Sequence, residues 1–214
     1  MTAEQIEQYS DEWFQIRVGK ATASRVADII ARTKTGWGAS RKNYLAEMVA
    51  ERLTGRPAER YSNAAMQWGL DTEPQARAAY EFFRDQAVQE VGFLEHARIP
   101  MTGASPDGLV GDGGMIEIKC PNTATHIDTL LNKKVDGKYV TQMQWQMACA
   151  ERDWCDFVSF DPRMPEHLRL FVERVFRDDE RIGELEAAVK DFLAEVDDVV
   201  AKLGPPDLTV LDAC

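Results

Sequence analysis

Asp107, Glu117 and Lys119 are the residues whose types and spacing could do chemistry together. They sit in Ser105-Pro106-Asp107-Gly108-Leu109 and, beyond the run Gly111-Asp112-Gly113-Gly114, in Met115-Ile116-Glu117-Ile118-Lys119-Cys120. Side chains of an extended strand alternate faces, so Glu117 and Lys119 point one way while Ile116, Ile118 and Cys120 point into a core. If the glycine-rich run closes a hairpin, Asp107 comes beside the polar face of the second strand. Two carboxylates and an ammonium then converge at a sheet edge. Hard oxygen ligands without His or Cys select Mg²⁺ or Mn²⁺ over zinc. Such an ion can polarise a phosphoryl oxygen, activate a water and stabilise a leaving oxygen. Lys119 beside it would hold the attacking water or stabilise charge developing on phosphate. The same residues fit equally a hairpin with a solvated polar face, because Pro-Asp-Gly is ordinary turn chemistry.

The elements that must position these residues change period along the chain. Ser10 reads as the N-cap of a short helix through Trp13, Phe14 and Ile16. Thr22 or Ser24 caps a second, with Val26, Ile29 and Ile30 on one face. A third runs from Ser40 to Leu53 and stops at Gly55. A fourth spans Asn63 to about Asp85, with a break or kink expected at Gly69 and Pro74. Val88 to Leu94, Ile99 to Gly103, Leu109-Val110 and Met115 to Cys120 read as strands. Helices follow at Thr125–Leu131 and Tyr139–Ala150, then strands at Trp154–Phe160 and Leu168–Phe176. The last helix carries Ile182, Leu185, Val189, Phe192, Val196, Val199 and Leu203 on one stripe and ends at Gly204-Pro205-Pro206. This order predicts an α/β (α+β) architecture, a central mixed sheet flanked by helices.

Composition narrows the class. The chain of 214 residues has a net charge of −11 and is 44% hydrophobic, which suits a well-filled core. No stretch has the apolar length of a membrane span and the start has no basic or apolar leader, so a cytoplasmic protein with no membrane partner is expected. Cys120, Cys149, Cys155 and Cys214 form no C-x-x-C pair and read as reduced thiols. His96, His126 and His167 have no metal-ligand spacing. The acidic balance argues against a nucleic-acid partner only as a sum, because segment 178–214 holds eleven acids against three bases. From Gln15 to Leu45 there are seven bases and one acid, Asp28. A DNA partner therefore stays open. Trp13, Trp68 and Trp145 have the helical spacing of core residues. Trp37, in Thr35-Gly36-Trp37-Gly38 on a basic loop with Lys34 and Arg41, is the aromatic expected at DNA. Lys133, Lys134 and Lys138 fit either a second phosphate contact or a solvated loop.

Asp107…Glu117-x-Lys119 resembles the motif of the PD-(D/E)XK nucleases, and the chain is similar to the lambda exonuclease (YqaJ-like) recombination nucleases. The stretches that carry the likeness run in order. They are Trp13-x-x-x-Arg17-x-Gly19-x-x-Thr22-Ala23-Ser24, Trp68-Gly69-x-x-x-Glu73, Ser105-Pro106-Asp107-Gly108-Leu109, Glu117-x-Lys119-Cys120-Pro121, Gln142-Met143-Gln144 and Asp161-Pro162-Arg163-Met164. Together they span about Asp11 to Phe176, leaving the acidic C-terminal helix least supported.

The resemblance implies roles position by position. Asp107, Glu117, the main-chain carbonyl of Ile118 and the additional acid Glu73 would hold two Mg²⁺ (or Mn²⁺) ions. Lys119 would be the catalytic lysine, with Glu73 and Gln142 in the catalytic set and Gln144 an alternative to Gln142. Arg17, Ser24 and Ser105 resemble the pocket for a terminal 5′-phosphate, a sensible set for an anion. The implied division is one nuclease domain over 1–214: a helical part with a basic face (1–62), a catalytic core (63–176), an acidic helix (177–203) and a tail (204–214). The implied activity is 5′-to-3′ exonuclease action on linear double-stranded DNA, releasing 5′-mononucleotides. A homotrimer ring and a single-strand annealing partner come with it. An endonuclease of the same fold and an inactive DNA-binding module are the alternatives.

Overall fold

The computed structural model describes residues 5–58 and 63–204. The N-terminal residues read for a leader, the proline stop at Pro205-Pro206 and Cys214 lie outside the described residues. The scaffold of the motif residues is a five-stranded mixed sheet in the order β10-β9-β8-β7-β4. Its strands are β4 (Val88–Gln89), β7 (Gly108–Val110), β8 (Gly114–Lys119), β9 (Trp154–Phe160) and β10 (Leu170–Phe176). Neighbours are antiparallel except β8 and β9, which run parallel. A parallel pair needs a long crossover, and α5 (Thr123–Asn132) with α6 (Gly137–Ala150) supplies it. The β7–β8 hairpin closes through Gly111, whose φ of 53° is the left-handed conformation glycine adopts without strain. Gly114 opens β8 where a Cβ would stand 2.1 Å from the Trp154 ring, so that position needs its bare backbone.

Both sheet faces are covered. On one, Ala76 and Tyr80 of α4 (Ala64–Arg84) pack on Ile116, Ile118, Val158 and Phe160. On the other, Met143 and Met147 of α6 pack on Met115, Cys155 and Phe157. The face carrying Glu117 thus lies beneath α6 and is no solvated hairpin surface: Glu117 is 1% exposed. Helix α4 is continuous through Pro74, without the expected break, capped by the Asn63 side chain and ended by Asp85 in the left-handed region. Residue 88 to residue 94 is not one strand. Val88–Gln89 joins the large sheet, whereas β5 (Leu94–Glu95) pairs with β6 (Thr102–Ala104) in a second, three-stranded sheet with β1 (Ala21–Thr22).

The N-terminal elements gather around that smaller sheet. Ser10 caps α1 (Asp11–Ile16) by accepting from the Trp13 N–H. Neither Thr22 nor Ser24 caps the next helix. Thr22 is extended in β1, with its N–H given to the Tyr44 hydroxyl at 3.1 Å, and Ser24 lies inside a 3₁₀ turn ahead of the single-turn α2 (Val26–Ile29). Helix α3 starts behind Gly38, not Ser40, and spans Ala39–Thr54 to a left-handed Gly55. The long helix α7 (Asp179–Leu203) buries Leu185, Val189, Phe192 and Val196 against α2 and α3 in one core with Tyr44, Met48 and Trp145. Phe192 stacks on Tyr44 at 5.4 Å. Among the described residues no helix is long and apolar enough to cross a membrane.

Candidate active site and end-binding cleft

The end of β8 and the residue before β7 bring the motif together. Ile118 N–H donates to Asp107 Oδ2 at 2.6 Å, in the gap β7 leaves where its pairing with β8 stops at Gly108. Glu117 accepts from one ammonium and two side-chain amides. Lys119 Nζ and Gln142 Nε2 meet Oε1, the latter at 2.6 Å, and Gln146 Nε2 meets Oε2 at 2.6 Å. Gln142 and Gln146 are one helical turn apart on α6, so both reach Glu117. Gln144 faces away: its Nε2 donates to Phe176 O at 2.8 Å and its Oε1 accepts from Asp178 N. Of the two glutamines weighed from the sequence, Gln142 is the one that reaches Glu117. Sequence reasoning missed Gln146, although the i, i+4 spacing from Gln142 was the available signal. Glu73 projects from α4, accepts from Arg77 Nη2 at 2.7 Å, and lines a cleft of about 470 Å³ with Ile118, Lys119, Cys120 and Tyr139.

The electrostatics are those of crowded carboxylates. Burial pushes the Asp107 carboxyl well above the usual range, and Glu117 and Glu73 add to it. Burial also raises Glu73, with Glu117 and Glu90 reinforcing it against Arg77 and Lys119. Burial works to lower the Lys119 ammonium, but Glu117 and Asp107 outweigh it and hold it above its ordinary value. Among the described residues no three His, Cys, Asp or Glu side chains are grouped to hold a metal as arranged; Glu117 is engaged by Lys119, Gln142 and Gln146, and Glu73 by Arg77. The donor set nonetheless fits a hard cation. Carboxylates that push one another up are the hard oxygen ligands Mg²⁺ or Mn²⁺ takes, and a positive charge would relieve the crowding at Asp107 and Glu73.

A second cleft, of about 660 Å³, adjoins the first and shares Tyr9, Met66 and Leu70 with it. Arg17 and the exposed Ser24 line it together. The Arg17 guanidinium lies 3.7 Å over the Trp13 ring, and burial brings it down to about 10, still charged at neutral pH. Its Nε is buried without a hydrogen-bond partner, and among the described residues no carboxylate pairs with it. Lys20 and Arg25 of the same cleft are by contrast paired with Glu95 and Glu47. Ser105 enters at one remove, accepting from Trp13 Nε1 at 2.9 Å.

The expected DNA-binding trio divides. Lys34 is exposed at the tip of a two-stranded hairpin, β2 (Arg32–Thr33) and β3 (Gly36–Trp37), where a flexible loop was expected. Trp37 is held there between Arg32 at 3.8 Å and Arg41 at 4.0 Å. Arg41 itself is 4% exposed and pairs with Glu195 of α7 at 2.7 Å, so its place is in the α3–α7 interface and not at a phosphate. Of the remaining residues, Lys138 sits near Asp136 at 3.8 Å, and Trp13 and Trp145 are buried as their spacing predicted.

Residues 12–153 match the YqaJ-like viral recombinase domain. The chain belongs to this family. An alkaline exonuclease from Laribacter hongkongensis, LHK-Exo, is similar over 91% of this chain and 96% of its own at 52% identity and a TM-score of 0.85. A second crystal structure of LHK-Exo, in complex with dAMP, matches at 51% identity and a TM-score of 0.86, with the same coverage. A phage-related exonuclease from Haemophilus somnus 129PT shares the fold at 21% identity, TM-score 0.71, covering 86% of this chain and 96% of that one. No curated protein sequence matches the chain. The fold is of the PD-(D/E)XK type, and membership makes this protein a nuclease of the recombination type, from a family that acts on DNA and generally uses divalent metal.

Proposed function

We propose that this nuclease is a Mg²⁺-dependent 5′-to-3′ exonuclease that degrades one strand of linear duplex DNA to 5′-mononucleotides and leaves 3′ single-stranded tails. The observation that carries the reading is the sharing of a wall between the Arg17 cleft and the carboxylate cleft. An internal cutter has no need of a half-buried cation beside its carboxylates that no carboxylate among the described residues neutralises; an enzyme that grips a terminal 5′-phosphate does. The dAMP held by LHK-Exo is a mononucleotide of the kind such a reaction releases.

Asp107, Glu117, Glu73 and the Ile118 carbonyl would hold the divalent cations. A cation there supplies polarisation of the scissile phosphate and activation of the attacking water. The remaining work belongs to the chain. Gln142 and Gln146 hold Glu117 in orientation. Lys119 stays protonated between Glu117 and Asp107 and offers its charge to the phosphate as negative charge grows. Arg17 and Ser24 bind the end phosphate and fix the register of the strand. Exposed Lys34 offers a backbone contact to the duplex, whereas the Trp37 ring already carries Arg32 and Arg41 over it and has no free face for a base. The family likeness supports a cytoplasmic homotrimer ring around the DNA, working with a single-strand annealing protein that coats the new tail.

The test is digestion of 5′-labelled linear duplex with Mg²⁺ or EDTA, against a 5′-hydroxyl end and a covalently closed circle. Mg²⁺-dependent loss of the 5′ strand, circle resistance, inactivity of Lys119→Ala and loss of end-phosphate preference in Arg17→Ala are expected. Cutting of the circle would overturn the exonuclease reading.

A further inference from the structure

Tyr9 stands in the partition between the two clefts, and neither the motifs nor the family likeness gives it a role. Its φ of 68° is left-handed, a conformation an aromatic residue seldom takes. The turn that imposes it closes when Ser10 N–H and Oγ donate to Glu7 O, at 3.3 and 2.7 Å. Its neighbour Gln8 anchors that turn to the site. Gln8 Nε2 donates to Val91 O and to Pro106 O, both at 2.8 Å, and Pro106 immediately precedes Asp107. The ring lies 5.2 Å from that of Trp13, which in turn carries Arg17. Tyr9 is thus built onto the phosphate side through Trp13 and onto the carboxylate side through Gln8. It remains 47% exposed with all this scaffolding beneath it, which is the state of a surface waiting for a ligand.

We propose that Tyr9 is the platform for the terminal nucleoside and so sets the cut one nucleotide from the end. The inference rests on the exonuclease reading above. With the end phosphate at Arg17 and the next phosphate at the carboxylates, the nucleoside joining them passes over the wall the clefts share. Of the three residues in that wall, Met66 and Leu70 are aliphatic; Tyr9 alone has a π-face for stacking and a hydroxyl for a phosphate or sugar oxygen. A phenol is ordinarily protonated at neutral pH, so the hydroxyl is a donor there. A cost in backbone strain at a substrate surface is a recurring feature of functional sites.

The substitution Tyr9→Gly separates strain from function. Glycine accepts the positive φ, so the melting midpoint stays at or above that of the wild type, while the ring is lost. On 5′-phosphorylated duplex with Mg²⁺, the first-cut rate falls about five- to hundredfold, the size of one lost stacking contact. The product ladder broadens from mononucleotides to mixed short fragments. Tyr9→Phe keeps the mononucleotide register. Should Tyr9→Gly melt early, Tyr9→Asn replaces it, since Asn also tolerates the left-handed backbone. Mononucleotide release by the wild type with an unchanged rate and ladder in the folded ring-less variant would overturn the assignment of Tyr9 alone. Failure of the wild type to release mononucleotides would overturn the exonuclease reading itself.

Discussion

The backbone N–H of Ile118 donates to Asp107 Oδ2 at 2.6 Å, tying the strand that bears Glu117 and Lys119 to the carboxylate at the mouth of the neighbouring strand. The bond orients Asp107 while leaving its second oxygen for another ligand. It also lowers the cost of burying a carboxylate already pushed up by desolvation and by Glu117. Asp107→Asn retains an acceptor for that N–H but removes the charge. Activity on linear duplex is expected to fall by more than the about 10- to 100-fold that loss of a mere outer partner costs, with the melting midpoint unchanged or raised. A variant that keeps near-wild-type turnover would remove Asp107 from the metal set.

Gln146 is 1% exposed and spends its amide on Glu117 Oε2. Its replacement by Leu leaves that oxygen without its donor and Glu117 held through Oε1 alone, by Lys119 and Gln142. The expected result is a rise of about 10- to 100-fold in the Mg²⁺ concentration needed for half-maximal rate, more than any change in maximal rate at saturating metal. A Mg²⁺ titration of the purified variant measures it. Gln144→Leu, on the other face of α6, should leave the metal titration where it was and act only on stability.

The difference between these two glutamines shows what the sequence makes legible. Alternation along β8 puts Glu117 and Lys119 on one side, and the glycine turn brings Asp107 beside them, because these are local rules of strand and hairpin geometry. Choosing between Gln142 and Gln144 required the rotational phase of α6 against the sheet, which only packing sets. Arg41 was read as part of a basic surface because charge counting assumes exposure. Its burial comes from α7, more than a hundred residues downstream, docking Phe192 and Glu195 onto α3. Tyr9 escaped for a related reason, since the left-handed turn at residue 9 exists in the backbone and has no Gly or Asn to announce it.

Arg41 and Lys34 therefore make opposite predictions. Lys34→Gln should weaken duplex binding evenly across sequences and reduce the salt slope of the affinity by about one unit, with no change in melting. Arg41→Gln should lower the melting midpoint and leave the salt slope alone. The loss is held to about 1 kcal/mol, because Glu195 is 44% exposed and water screens much of the pair. Binding isotherms at several salt concentrations, with thermal melts of the same samples, distinguish the two.

Asp161 makes the pH prediction. Its carboxylate accepts from Thr123 Oγ1 at 2.7 Å and from Arg163 Nε at 2.7 Å, while Arg163 Nη2 reaches Pro121 O at 3.2 Å and the guanidinium covers Trp68 at 4.4 Å. This cluster ties the segment after β8, including the Pro121 wall of the carboxylate cleft, to α4. Burial works to raise the Asp161 carboxyl, but the Arg163 and Thr123 hydrogen bonds outweigh it and hold it down to about 2. The folded value lies below the unfolded value of 3.8. Its stabilisation is thus complete above the unfolded value and is lost as pH falls from there through about 2. The full contribution is about 2 kcal/mol at most, since Arg163 is half in solvent and screened. Asp161→Asn should melt earlier at neutral pH, and its deficit relative to the wild type should shrink on acidification across that window. A deficit that stays constant down to pH 2 would show that the Asp161 charge is not what holds the segment.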